Sequence, residues 1–300
     1  MITGVFAAVA TPIGGDGHID MATFERLVEF LLASGVSGVC LGGATSEYPN
    51  VEVADRKAAI ATAAQGIPGD RALLVGIGAP SVRAVLELGA AAAVAGSRAV
   101  LLPMPMFFRY DQADLHAFCA DVSRTLRQPL LLYDLPDFTN PLAPATAIAL
   151  MRDEAFIAGI KDSSGREENL TDFARAREGR DWTLLVGHDG LLLEGLAAGW
   201  DGTISGVAGF YPELPLAIYR NVQQERIERA ARLQALLDEL IGELGALPAP
   251  WGIRIGLEVR GFPTGPFPLP VSTRRRRQID HFRGWVEGWM DRAASAIAEG

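Results

Sequence analysis

Residues 129–165 read PLLLYDLPDFTNPLAPATAIALMRDEAFIAGIKDSSG. Pro129–Leu135 is a short, nearly unbroken apolar run, the pattern of a strand buried on both faces. Proline and asparagine then mark a turn, and Ala145–Arg152 has helical spacing. Phe156–Asp162 is a second buried strand. Two such strands joined by a helix form a βαβ unit, because parallel strands need a crossover to return the chain.

The same rhythm continues in both directions. Before this unit, strand-like runs lie at Val5–Pro12, Gly38–Gly42, Ala72–Gly78 and Ala99–Pro105. Helix-like segments follow them at Met21–Ala33, Val51–Gln65, Val82–Ala95 and Gln112–Leu126. After the unit come Glu167–Arg177, Thr183–Gly187, Leu191–Ala198 and Gly202–Val207. Eight strands in about 210 residues predict an α/β fold, a TIM (β/α)₈ barrel spanning 1–221. The stretch 222–300 predicts a C-terminal helical appendage. A doubly wound sheet is the competing architecture, but TPIGGDGHID after the first run does not fit GxGxxG, and Gly76-Ile77-Gly78 lacks the third glycine.

Composition narrows the function classes. The chain has 300 residues, 49% of them hydrophobic, enough for one large core. A net charge of −9 argues against nucleic acid as a partner and disfavours an anionic membrane surface. The one basic run, Arg274–Arg277, reads as a solvated helix start. Cys40 and Cys119 stand apart, and neither belongs to a CxxC pair, so no disulfide framework or zinc site is expected. The opening MITGVFAAVATPIGG lacks the basic start and long apolar stretch of a signal peptide. No apolar run approaches 18 residues, so no membrane span is expected. These features predict a protein of a reducing cytoplasm. No HExxH or paired His/carboxylate cluster predicts a metal, and no GxSxG elbow predicts a hydrolase.

One count is more pointed. Of the 27 basic residues only Lys57 and Lys161 are lysine, leaving 27 − 2 = 25 arginines. In so arginine-biased a chain, a lysine kept inside an apolar segment invites a chemical reason. A guanidinium stays protonated and cannot serve as an amine nucleophile. Barrel active sites lie at the C-terminal ends of the strands, and Lys161 closes its strand there. A lysine amine so placed can condense with a ketone, and the resulting iminium draws electrons from a neighbouring C–C bond. A structural pairing with Asp162 is the plain alternative. Tyr133 ends the preceding strand, where a phenol can relay protons or simply fill space. Gly42-Gly43-Ala44-Thr45-Ser46 offers exposed N–H groups and a hydroxyl suited to a carboxylate. Ser163, His188, Asp189, Ile204 and Ser205 are further strand-end candidates for substrate contact.

Together these positions resemble the dihydrodipicolinate synthase / N-acetylneuraminate lyase family of class I aldolases, over nearly the whole chain. Gly159-Ile160-Lys161-Asp162-Ser163-Ser164-Gly165 is similar to its Schiff-base lysine signature, and the Asp-Ser-Ser form resembles that of 2-keto-3-deoxy-sugar-acid aldolases. Leu132-Tyr133-Asp134-Leu135-Pro136 resembles its Tyr-Asn-x-Pro motif, with Asp134 for the asparagine. Gly43-Ala44-Thr45-Ser46-Glu47 resembles its Gly-Thr/Ser-Thr-Gly-Glu motif, with two departures. The resemblance implies that Lys161 forms a covalent imine, so that no cofactor is required. It further implies that Tyr133 shuttles protons and that Thr45, with the backbone of Ala44 to Ser46, holds a pyruvate-like carboxylate. A homotetramer is implied as well.

The departures shape the expected substrate. In the synthases the tyrosine works with a threonine and a second tyrosine, and an arginine stands nearby. Those positions read Ala44, Phe107 and Phe138. A mouth holding Met106, Phe107, Phe108 and Phe138 is expected to be too apolar for aspartate semialdehyde or for the polyol of sialic acid. The expected activity is a lyase acting on a 2-oxo acid with a small or apolar tail, a 2-keto-3-deoxy sugar acid remaining open. A dehydratase using the same imine is the alternative enzyme. A 2-oxo-acid-binding barrel without turnover is the non-enzymatic alternative, motivated by the missing hydroxyls.

Overall fold

A computed structural model of the chain describes residues 2–299. Eight parallel strands close into a barrel in sequence order: β1 Gly4–Ala8, β2 Gly38–Leu41, β3 Ala72–Gly76, β4 Ala99–Pro103, β5 Leu130–Asp134, β6 Ile157–Asp162, β7 Thr183–Val186 and β8 Gly202–Ser205. The helices between them are α1 Met21–Ala33, α2 Val53–Gly66, α3 Val82–Val94, α4 Gln112–Leu126, α5 Pro144–Asp153, α6 Glu167–Ala176 and α7 Leu192–Ala197. The (β/α)₈ expectation holds. The strands stop short of the sequence runs because Pro12, Gly42, Gly78 and Pro105 already belong to the loops that leave the barrel, where proline has no N–H for a ladder.

After β8 come α8 Glu213–Gln223, α9 Ile227–Leu244, α10 Trp251–Val259 and α11 Thr273–Ala298. The boundary expected at 221/222 falls in the last turn of α8. The Arg274–Arg277 run is the first turn of α11, capped by Ser272, whose Oγ accepts from the Arg275 N–H at 3.2 Å. Phe282, Val286 and Trp289 of α11 are buried against the rest of the helical region.

Strand alternation sorts the apolar residues into two sets. Leu130 and Leu132 face the surrounding helices, whereas Leu131 and Tyr133 face inward. The barrel interior is filled by Phe6, Cys40, Leu74, Leu101, Leu185 and Ile204, a packed core with no pore. β6 departs from strict alternation. Leu130 pairs with Ile157 but Leu131 pairs with Gly159, so Ala158 is an extra residue in the β5–β6 ladder. Ala158 and Lys161 are an odd number of residues apart, and an unbroken strand would send them to opposite faces. The bulge restores the phase, so both reach the interior. Gly159 fits here because a Cβ would run into the Thr183 carbonyl of β7.

Beside Tyr133 and Lys161, Asp134 and Asp162 are register partners and both are buried. Asp162 accepts from the Ser164 N–H (2.7 Å) and from Asn169 Nδ2 (2.8 Å), whereas Asp134 accepts from the Leu142 N–H at 2.9 Å. Burial pushes the Asp134 carboxyl from its ordinary 3.8 up to about 6; Asp162 adds to the rise and the Leu142 N–H opposes it. The folded protein therefore holds this proton to a higher pH than the unfolded chain does. Stability falls as pH rises from 3.8 to about 6, and the penalty is complete above that. Asp134→Asn keeps the acceptor and removes the charge. It is expected to stabilise the fold by about 1–3 kcal/mol at pH 7.5. The gain should vanish below about pH 4. Urea unfolding across that range checks this, and an equal gain at both ends would exclude the charge as the cause.

Candidate active site

Lys161 and Tyr133 are brought together by the β5–β6 register. Lys161 is only 4% exposed, and its Nζ lies 4.2 Å from the centroid of the Tyr133 ring. The phenol hydroxyl makes no hydrogen bond to the described residues and is not fully enclosed. Gly187, at the end of β7, gives the lysine its room. A Cβ there would stand 2.7 Å from Lys161 Cε and closer still to Ser163 Oγ. Ser163 Oγ is enclosed and has no partner among the described residues.

A cleft of about 230 Å³ opens beside this point. Ala44 and Thr45 form one side, and Gly187, His188, Asp189, Gly206 and Val207 form the floor. Ala44–Ser46 is a tight 3₁₀ turn in which the Ser46 N–H donates to Gly43 O. The N–H groups of Ala44 and Thr45 precede the first turn bond and are left for another acceptor. The sites of Thr45 and Asp189 converge across Gly206. A Cβ at Gly206 would lie 3.4 Å from Thr45 Oγ1 and 3.7 Å from Asp189 Oδ2. Asp189 Oδ2 accepts from the Val207 N–H at 3.1 Å, while Oδ1 is enclosed without a partner among the described residues. Burial raises the Asp189 pKa, and hydrogen bonds from Ser205 and the Val207 N–H offset part of the rise.

Other expected site residues have structural partners of their own. Ser46 Oγ donates to Val9 O at 2.6 Å and braces β1. Ser205 Oγ accepts from the Ala208 N–H at 2.9 Å, closing the turn after β8. Ile204 is packed inside the barrel. Phe107 and Phe138 are 91% and 55% exposed, and Phe108 is exposed beside Phe107. Asn140 fixes that segment through bonds from its Nδ2 to Pro105 O and Phe108 O and from the Tyr110 N–H to its Oδ1. Phe107 has φ +73°, a left-handed backbone conformation, and its side chain is open to solvent. Phe107, Phe108 and Phe138 are thus solvent-exposed, whereas Met106 lines a hollow of about 330 Å³ together with Pro103, Met104, Pro105 and Tyr110.

Two features escaped the sequence reading. One is an apolar wall on the cleft, contributed by Ile241 and Leu244 of α9, Pro248 and Ile253. The other is Arg254 of α10, buried at 1% exposure. It donates to Glu47 Oε2 at 2.9 Å and to the carbonyls of Thr264, Gly265 and Pro266. The bond to Glu47 ties the helical region to the loop that carries Thr45. A lone arginine inside WGIRIGLEV was the available signal. Removing one partner of a buried ion pair typically costs about 3–5 kcal/mol. Arg254→Met is expected to lower stability by about that much and to raise KM more than it lowers kcat. Denaturant unfolding and steady-state kinetics check this, and an unchanged midpoint would remove the pair from the account.

A hollow of about 680 Å³ lies between α2 and α3 with Lys57 on its rim. It is on the outer ring, away from the strand ends, and Lys57 is solvent-exposed there. No helix among the described residues is long and apolar enough to cross a membrane.

Comparison with known proteins finds relatives over nearly the whole chain. The model of the dihydrodipicolinate synthetase family matches residues 1–286. A 4-hydroxy-tetrahydrodipicolinate synthase of Streptomyces coelicolor is 32% identical over 273 residues, 90% of this chain and 88% of the relative. A probable 2-dehydro-3-deoxy-D-pentonate aldolase of Escherichia coli is 27% identical over 274 residues, 89% of this chain and 90% of the relative. Among solved structures, a prophage protein of the dihydrodipicolinic acid synthase family from E. coli K12, in complex with pyruvate, superposes with a TM-score of 0.89. It is 24% identical, and the match covers 97% of this chain and 99% of that one.

Proposed function

Because this chain belongs to the dihydrodipicolinate synthetase family, a family of lyases, we propose that it is a pyruvate-type class I aldolase with Lys161 as its nucleophile. The observation that carries the reading is the buried Lys161 amine against the Tyr133 ring beside an open cleft at the strand ends. The substrate is a 4-hydroxy-2-oxo acid, a type to which the E. coli pentonate aldolase relative lends support by its name.

Each step balances. Lys161 Nζ adds to the C2 ketone, water leaves, and an iminium forms. A base takes the C4 hydroxyl proton and the C3–C4 bond breaks. Its electron pair flows to the iminium nitrogen, giving an aldehyde and an enamine. Protonation at C3 and hydrolysis release pyruvate and free Lys161. Tyr133 moves the protons. The Ala44 and Thr45 N–H groups with the Thr45 hydroxyl hold the carboxylate. His188 and Asp189 stand at the cleft floor for the C4 oxygen, and Ser163 adjoins the lysine. No further cofactor is needed. Ala44 sets a methyl group at the cleft, which weighs against a synthase reaction with aspartate semialdehyde. Borohydride trapping with pyruvate, followed by product analysis, tests the reading. An aldehyde product supports the aldolase, and loss of water without C–C cleavage makes the enzyme a dehydratase.

The setting is a cytoplasm, a reading supported by two buried, unpaired cysteines. The assembly is a homotetramer, supported by the exposed aromatic surface of Phe107, Phe108, Tyr110 and Phe138. Light scattering should give four times the 32.0 kDa chain mass, and a monomer at 32.0 kDa would refute it.

A further inference from the structure

We propose that the C-terminal helical region forms an apolar tail pocket for the lyase site. The preferred substrate then carries a short aliphatic or aryl group beyond C4, and the aldehyde released with pyruvate is apolar, not polyhydroxylated. The proposal rests on the imine reading above.

The cleft has two chemically distinct ends. Its inner end has polar groups on Thr45 and Asp189, next to Gly187 and the lysine it admits. Its outer wall is Ile241, Leu244, Pro248 and Ile253, whose side chains offer no donor or acceptor. The two ends meet near Gly190: a Cβ there would lie 3.1 Å from His188 Cε1 and 3.6 Å from Ile241 Cδ1. A chain extending from C4 leaves the polar floor and meets hydrocarbon. Hydroxyl groups on that chain would lose water and find no side-chain partner on the wall, whereas methylenes would be buried favourably.

The wall is held in place. A Cβ at Gly252 would collide with the Leu244 side chain, so glycine lets α10 seat directly on it. The same Cβ would lie 3.5 Å from Phe282 of α11. Arg254, two residues on, ties α10 to Glu47 and so to the Thr45 loop. The tail pocket and the carboxylate loop are thus parts of one braced unit. An apolar pocket distinguishes substrates differing by one methylene by about 10–200-fold.

The test uses the full-length chain. Borohydride trapping of pyruvate at Lys161 is measured first, and absence of an adduct overturns the imine reading and this proposal with it. Aldol addition of pyruvate is then compared for butanal, isobutyraldehyde and benzaldehyde against glyceraldehyde and erythrose. A kcat/KM advantage of about tenfold or more for the apolar aldehydes is expected. An adduct together with preference for the polyhydroxylated aldehydes would overturn the tail pocket alone. Leu244→Asn, and separately Ile241→Asn at a half-buried position, should reduce the apolar-to-polyol ratio about tenfold. An unchanged ratio in both folded variants would also defeat the proposal.

Discussion

Lys161→Arg is expected to abolish turnover and to leave no borohydride adduct, while the barrel stays folded. An imine requires a neutral amine, and a guanidinium remains protonated in proteins. The substitution preserves a positive charge, so loss of activity would not reflect loss of charge alone. Space is the second obstacle. The lysine stem runs past Gly187, where even a single Cβ would come within 2.7 Å of Cε. A bulkier planar head must shift against that floor and against the Tyr133 ring. In the unaltered protein, mass spectrometry after reduction with pyruvate should place one label on the peptide holding Lys161. Lys57 should stay unlabelled, since it is solvated on the outer face of α2. A label on Lys57, or no label at all, would sink the assignment. Circular dichroism of Lys161→Arg separates chemical loss from unfolding.

The fold was legible because each barrel strand is a short apolar run between helical segments, and that signal is local. The bounds expected for Met21–Ala33 and Gln112–Leu126 hold to the residue, and in the fold Asp20 and Asp111 cap the two starts. Lys161 and Tyr133 were legible for the same reason: each ends a strand, and strands five and six are neighbours in a barrel. The bulge at Ala158 was not, because it depends on how β6 pairs with β5. Phe107 was read as part of the mouth by position along the chain. Its left-handed backbone conformation and its exposure arise in the folded loop, and neither is encoded by spacing. Arg254 and the apolar wall lie more than 35 residues beyond the last strand, so only the folded chain brings them to the site.

Tyr133→Phe is expected to lower kcat by about 10²–10⁴-fold with little change in KM, the range typical of a general acid–base group. The substitution is unusually clean. The ring is 2% exposed, packed over the barrel interior, and in register with Pro103 on one side and Lys161 on the other. Phenylalanine keeps that ring, so the 4.2 Å contact under Lys161 Nζ survives and the amine stays in place. The hydroxyl bonds to no described residue, so its removal leaves no orphaned partner and no stability penalty of that kind. What disappears is the proton path between the cleft and the carbinolamine. No hydroxyl side chain stands at position 44, and the ring at 107 faces solvent, so neither supplies a substitute. Imine formation with pyruvate should slow but persist, because water can carry some of the protons. Bond cleavage at C3–C4 should suffer more, since the C4 hydroxyl proton must leave as the bond breaks. Single-turnover measurements of trapping and of aldehyde release separate the two steps. Wild-type rates in both would reduce Tyr133 to a packing residue and shift the proton transfer to Asp189, which lines the same cleft.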